Sequence, residues 1–251
     1  MSDNKIQIKE TVNESMVDLV NYLFVILNGL LNGDDAEERR EFVTIGLSGG
    51  SLIKQLSKEL IEQRDRFRPM SDKLRIIFCD ERFVPLDHED STYHGYVKER
   101  LFDELTIKRE NVFAIKADSS SVDECAKEYE ARLSSLLNKN GAFDVLLLGM
   151  GPDGHTCSLF PGHKLFVERD KRLVAPIDDS PKPPPARVTL TLEYINKSSH
   201  LIFCTFGDSK ADIIRKILKE NDQTLPSACV QPSTSYGSLK WFIDTPAAKL
   251  L

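Results

Sequence analysis

No apolar run in this chain approaches the roughly 18 residues that suggest a membrane span, and residues 1–10 are polar, so the sequence reads as a soluble, cytoplasmic protein. Paired cysteines are missing too. Cys79, Cys125, Cys157, Cys204 and Cys229 are odd in number and form no C-x-x-C, which fits reduced thiols rather than a disulfide framework. Nor is there an excess of basic charge. The 33 Lys and Arg stand against 39 Asp and Glu, and the net charge of −6 argues against a general nucleic-acid or anionic-membrane surface. An anionic ligand would need a local basic pocket. His88, His94, His155 and His163 lack the spacing of a metalloprotease helix or a zinc ribbon, so no metal is expected. A G-x-x-x-x-G-K-[ST] phosphate loop, an internal repeat and a domain linker are also lacking.

What is present is enough for a full core: 251 residues, 41% hydrophobic and 29% charged. A single α/β domain over residues 1–251 on one continuous sheet is expected. Val12, Met16, Leu19, Val20, Leu23, Phe24, Leu27, Leu30 and Leu31 recur at steps of three and four, predicting a long first helix ended by Gly33-Asp34-Asp35. Short apolar runs at 43–47, 74–78, 145–148, 188–192, 201–206 and 241–243 read as strands. Residues 52–61, 122–137 and 210–218 read as helices, with Ser51, Ser121 and either Asp208 or Ser209 as caps. Strands alternating with helices predict a Rossmann-like open, mainly parallel sheet covered on both faces.

The strand at 145–148 delivers the turn Gly149-Met150-Gly151-Pro152-Asp153-Gly154-His155-Thr156. Its glycines allow left-handed backbone and close approach to a ligand, and His155 has a side chain suited to proton transfer near neutral pH. The turn also spells G-x-G-x-x-G, with Asp170 about where a ribose-binding acid would stand in a dinucleotide site, roughly 20 residues on. The dinucleotide reading is rejected. Asp153 would set a carboxylate beside the pyrophosphate, and Pro161-Gly162 cuts short the helix that such a site requires.

Four further segments carry polar groups at strand ends. Ser48-Gly49-Gly50-Ser51 offers free backbone amides, hydroxyls and a helix N-terminus, a phosphate cradle or equally an ordinary strand-to-helix turn. In Asp80-Glu81-Arg82, the guanidinium of Arg82 can hold a phosphate, or only neutralise its neighbours. Glu89-Asp90-Ser91-Thr92 reads as a solvated helix cap. Lys210 opens a helix, where a cation opposes the dipole and hints weakly at an anion nearby. Arg187 follows Ser180-Pro181-Lys182-Pro183-Pro184-Pro185, a preset loop that can present it to a ligand or serve as an exposed turn. Cys157 lies two residues past His155 as a possible nucleophile, although a buried space-filler is the simpler reading.

Ser48-Gly49-Gly50-Ser51, Asp80-Glu81-Arg82-Phe83-Val84-Pro85, Gly151-Pro152-Asp153-Gly154-His155-Thr156 and Gly207-Asp208-Ser209-Lys210-Ala211, in this order and spacing, closely resemble the 6-phosphogluconolactonase family. The resemblance runs from the first helix, through Ser180 to Thr189, to Trp241-Phe242-Ile243-Asp244. It implies a Rossmann-like fold shared with glucosamine-6-phosphate deaminases. It also implies hydrolysis of 6-phosphoglucono-δ-lactone, the second step of the oxidative pentose phosphate pathway, without metal or nucleotide cofactor. The lactonase resemblance leans toward a monomer. Two departures stand out: Cys157, where the family usually has Ala, and Leu52-Ile53, where Thr-Pro is frequent.

On this reading His155 is the general base and Asp153 its orienter, and the phosphate rests on residues Ser48, Gly49, Gly50 and Ser51. Arg82 and Lys210 balance its charge and Arg187 closes from the proline loop. Asp80 and Gly151 complete the substrate contacts. The competing reading is an amino-sugar phosphate deaminase with Asp80 as base. Against it, the chain has Ser158-Leu159-Phe160-Pro161-Gly162 where the deaminase branch carries a catalytic Glu. A non-catalytic phosphosugar-binding module is the other alternative, and an intact Asp153 and His155 argue against it.

Overall fold

A computed structural model describes residues 5–33, 39–235 and 237–251. Its strands are β1 (Ile6–Lys9), β2 (Val43–Leu47), β3 (Leu74–Phe78), β4 (Asp80–Arg82), β5 (Val112–Phe113), β6 (Val145–Gly149), β7 (Val174–Ile177), β8 (Arg187–Leu190), β9 (His200–Thr205) and β10 (Ser238–Asp244). The helices are α1 (Val12–Asn32), α2 (Leu52–Glu62), α3 (Arg64–Phe67), α4 (Thr92–Lys98), α5 (Leu101–Glu104), α6 (Val122–Ser134), α7 (Lys164–Val167), α8 (Leu192–Lys197), α9 (Ala211–Leu218) and α10 (Thr245–Ala248).

Seven strands in the order β1-β10-β9-β6-β2-β3-β5 form an all-parallel sheet. The expected single continuous sheet is corrected by a second one, antiparallel, in the order β4-β8-β7. Cys79 is the joint between them. Its amide donates to the Leu47 carbonyl at 2.9 Å in the large sheet, and its carbonyl accepts from the Leu190 amide at 2.8 Å in the small one.

Strand alternation fills a core on each face of the large sheet. Leu146 and Leu148 of β6 pack with α6 and α9, whereas Val145 and Leu147 face α1 and α2. Each fully buried leucine stabilises by about 1.5–3 kcal/mol relative to exposure. Contrary to the sequence expectation, α1 is long and apolar enough to cross a membrane, with a mean hydropathy of 1.4. Met16, Leu19, Leu23 and Leu27 are buried in the core, and Thr11 and Glu14 close a capping box at its start. Gly33 ends it, its amide donating a hydrogen bond to the Gly29 carbonyl at 2.9 Å. Asp34 and Asp35 lie outside the described residues.

Several boundaries move. The helix expected over 122–137 stops at Ser134, and the strand expected over 188–192 covers Arg187–Leu190. Ser121 caps as expected, accepting from the Glu124 amide at 3.2 Å, but Ser51 makes no capping bond. Neither Asp208 nor Ser209 caps α9, because both belong to a 3-10 turn (Asp208–Lys210) that precedes it.

The connectivity places one special position on the sheet. From β2 the chain builds outward through β3 and β5, then returns to the other side of β2 for β6. Adjacent parallel strands whose connections depart in opposite directions leave a crevice at their carboxyl ends, where α/β sheets bind ligands. The glycine turns after β2 and β6 both open there.

Candidate active site

Four strand ends surround a cavity of about 240 Å³ at this crevice. Ser48, Gly49, Gly50 and Ser51 enter after β2, Asp80 and Arg82 from β4, Gly151 and His155 after β6, and Lys210 after β9; Arg187 of β8 completes the wall. Every expected site residue lines the cavity except Asp153, which supports His155 from behind. Gly50 has φ +72°, a conformation that favours glycine. A Cβ on Gly49 would lie 2.9 Å from Thr92 Oγ1, so this turn packs directly on the start of α4. Ser48 Oγ, Thr205 Oγ1 and Arg82 Nε belong to cavity-lining residues and are buried without a partner. Buried polar atoms are ordinarily satisfied, so these three mark unspent capacity for a polar ligand.

The turn after β6 folds back on itself. The Gly151 amide donates to the His155 carbonyl at 2.8 Å, and the Gly154 amide to the Gly151 carbonyl at 3.1 Å. This closure sets Asp153 Oδ1 2.5 Å from His155 Nδ1. The Phe160 ring supports the imidazole at 4.7 Å between centroids.

Burial pulls the His155 pKa below its ordinary value, outweighing the opposite pull of Asp153. Burial alone would raise Asp153, but hydrogen bonds and charges from His155 and Lys182 prevail and hold its carboxyl at about 2. At neutral pH the pair is therefore a carboxylate and a neutral imidazole. A carboxylate only accepts, so the imidazole proton belongs on Nδ1 and Nε2 is left as a base.

The cations occupy three different settings. Lys210 Nζ donates to the Met150 carbonyl at 2.9 Å, and burial lowers its pKa. Arg82 donates from Nη1 to the Asp90 carbonyl at 2.6 Å and forms no ion pair among the described residues, so it does not merely neutralise Asp80 or Glu81. Arg187 differs from expectation. It is not carried on the proline loop but sits on β8, only 4% exposed, and its guanidinium holds that loop by donating to the carbonyls of Lys182, Pro183 and Pro184, each at 3.0 Å.

Asp80 is buried beside it, with Oδ2 accepting from Ser158 Oγ at 2.7 Å and lying 4.0 Å from Arg187 Nη1. Cys157 is buried as a space-filler. Its contact with Cys79 and its burial hold the thiol well above its ordinary pKa, opposite to what an activated nucleophile needs.

Two functional positions escape the sequence reading. Glu81, 1% exposed, accepts from the Arg82 amide, the Thr92 amide, the Tyr93 amide and Ser91 Oγ, tying β4 to the start of α4. Ser91 is the cap of α4 as foreseen, yet it is buried rather than solvated. Lys182, within the proline segment, places Nζ 3.0 Å from Asp153 Oδ1 and 3.2 Å from His155 Nδ1. Its place in a preset loop was the only available signal.

A parallel sheet with an oriented His–Asp pair and a glycine-and-cation wall at its switch point defines an α/β protein with a polar, cation-lined cavity at its strand ends. The sequence profile described as "Glucosamine-6-phosphate isomerases/6-phosphogluconolactonase" matches residues 30–241, and the chain belongs to that family. The 6-phosphogluconolactonase of Rattus norvegicus is 45% identical over 86% of this chain and 83% of its own. A probable 6-phosphogluconolactonase of Drosophila melanogaster is 40% identical over 99% and 98%. Among solved structures, the 6-phosphogluconolactonase of Thermotoga maritima superposes with a TM-score of 0.77 at 28% identity, covering 95% of this chain and 98% of that one.

Proposed function

We propose that this chain hydrolyses 6-phosphoglucono-δ-lactone to 6-phosphogluconate, as the names of its relatives state for them. The observation that carries the reading is the 2.5 Å contact between Asp153 and His155, which orients an imidazole that burial keeps neutral at the cavity. His155 Nε2 takes a proton from water as the water oxygen bonds to the lactone carbonyl carbon. The tetrahedral intermediate then expels the ring oxygen, which receives that proton from the imidazolium. One water is consumed and one hydroxy acid is formed. Positioned proton transfer of this kind contributes about 10²–10⁴-fold.

The phosphate rests on the Ser48 to Ser51 turn, with Arg82 and Lys210 supplying charge. Arg187 shapes this wall from below and keeps the proline loop in place, a role revised from that of a closing arm. Asp80 is already engaged by Ser158 and Arg187, which disfavours the proton-abstracting role that a deaminase would give it.

The test is to generate the lactone in situ and follow its disappearance against the spontaneous rate. Acceleration by the intact protein, lost in His155→Ala with substrate binding kept, supports the reading. Equal rates with and without the intact protein end it.

A further inference from the structure

The chemistry proposed above requires His155 to be neutral although a carboxylate lies 2.5 Å from its ring. A charged carboxylate at that distance draws a proton onto an imidazole and converts the pair into a carboxylate–imidazolium, which is no longer a base. Burial of the ring opposes it, and a neighbouring cation opposes it further. The charged groups that act on the ring or share its cavity come from five segments: Asp153 from its own turn, Asp80 and Arg82 from β4, Arg187 from β8, Lys210 from the turn before α9, and Lys182 from the proline loop. Asp80 is engaged by Ser158 and Arg187, and Lys210 is anchored on the Met150 carbonyl. Arg187 lies behind Phe160, its guanidinium carbon 5.7 Å from that ring's centre.

Lys182 alone among these cations touches both members of the pair, 3.0 Å from the oxygen that His155 also contacts and 3.2 Å from His155 Nδ1. It is not one of the residues that line the cavity. Its ammonium contacts the pair itself.

We propose that Lys182 is a positioning residue for this site: its ammonium supplies the positive partner that Asp153 would otherwise obtain by protonating His155, and so joins burial in keeping the imidazole a base. Two cations cannot share one carboxylate oxygen at these distances without repelling each other. With the ammonium fixed there, a second positive charge on the ring is opposed, while the neutral Nδ1–H still donates to Asp153. The loop makes the arrangement durable. Ser180 Oγ donates to the Lys182 carbonyl at 2.9 Å and Arg187 to the same carbonyl at 3.0 Å, so the backbone that carries the ammonium is held twice. Direction of effect follows from charge alone. Removing a cation beside an imidazole favours its protonation, and the base form is then lost at a higher pH.

The inference rests on the lactonase reading, so its test has one arm that needs no substrate. The ring of His155 is titrated by NMR in the intact protein, in Lys182→Met and in Lys182→Arg. The expected result is a titration midpoint that moves to higher pH in Lys182→Met and returns toward the wild-type value in Lys182→Arg. An unchanged or lower midpoint in Lys182→Met overturns the proposal whatever the activity.

In the second arm, the pH dependence of kcat/KM for lactone hydrolysis is compared. The ratio of Lys182→Met to wild type should fall by about tenfold from the alkaline plateau to the acidic limb, with KM nearly unchanged. A uniform loss at every pH, or a loss confined to KM, overturns it in favour of a structural or substrate-anchoring lysine. Lys182 is 37% exposed on its side chain and its backbone contacts do not involve the ammonium, so both variants retain the loop. A wild-type protein without lactonase activity would end the functional reading and leave the NMR arm to decide.

Discussion

Gly151 and His155 occupy one space: a Cβ built on Gly151 would fall 1.9 Å from His155 Nδ1 and 2.6 Å from Asp153 Oδ1. The glycine is needed there because the imidazole fills the volume any other side chain would take. Its backbone conformation is not the reason, since the left-handed glycine of this turn is Gly154. Gly151→Ala should therefore push the ring off Asp153 while leaving the sheet intact. We expect lactone turnover to fall by at least about 10²-fold, the lower end of what positioned acid–base chemistry supplies, with near-native circular dichroism. Retained turnover would mean that the ring can act from a displaced position.

Asp153→Asn separates the two roles of the carboxylate. Asp153 raises the pKa of His155, so its removal lowers it, and the acidic limb of kcat/KM should move to lower pH. The plateau should drop by about 10²–10⁴-fold because the amide holds the ring and its proton less well. A pH–rate profile of the variant checks both signs at once. They are opposite in direction to the limb shift expected for Lys182→Met.

The same carboxyl enters the stability of the protein. Its folded value of about 2 lies below the ordinary 3.8, so the stabilisation it gives is full above the ordinary value and is lost as pH falls toward 2. Thermal melts between those pH values should show a shallower acid decline for Asp153→Asn than for the wild type.

Lys210→Ala should raise KM by about 10- to 100-fold and change kcat less, since a charge-assisted hydrogen bond is worth roughly 1.5–3 kcal/mol. Steady-state kinetics decide the point. A large fall in kcat at unchanged KM would remove Lys210 from the phosphate wall.

Glu81→Ala should destabilise the fold by about 3 kcal/mol, visible as a lower Tm, because it leaves the buried Thr92 amide and the part-buried Arg82 and Tyr93 amides without their acceptor. No change in Tm would show that water replaces the carboxylate.

The parts of the fold legible in the sequence are those whose signal is local. β2 and β3 have the predicted limits because a central parallel strand is covered on both faces, which writes it as a mainly apolar run, broken here only by Thr44 and Arg75. The glycine turns after β2 and β6 were equally plain. β4 was not: Asp80, Glu81 and Arg82 look like a surface loop until β8 pairs with them. α4 has few apolar residues and begins where it does because Glu81, ten residues before Ser91, binds its first amides. Lys182 lies 27 residues from His155, and nothing in the spacing announces that the two meet. The mistaken expectation for Arg187 has the same origin, since a loop and the strand that follows it read alike until the guanidinium is seen bonded to the carbonyls behind it.

The edge pairing of β1 with β10 sets Ile6 opposite Trp241. During synthesis the chain can assemble β2, β3, β5 and β6 in the order in which they leave the ribosome, but β1, made before them, has no neighbour until β10 is made. Closing a loop of that length costs entropy that grows only slowly with length, so the delay is one of translation time more than of free energy. Until β10 is made, Ile6 to Lys9 wait unpaired, and the large sheet gains its outermost strand only after nearly all of its other strands exist.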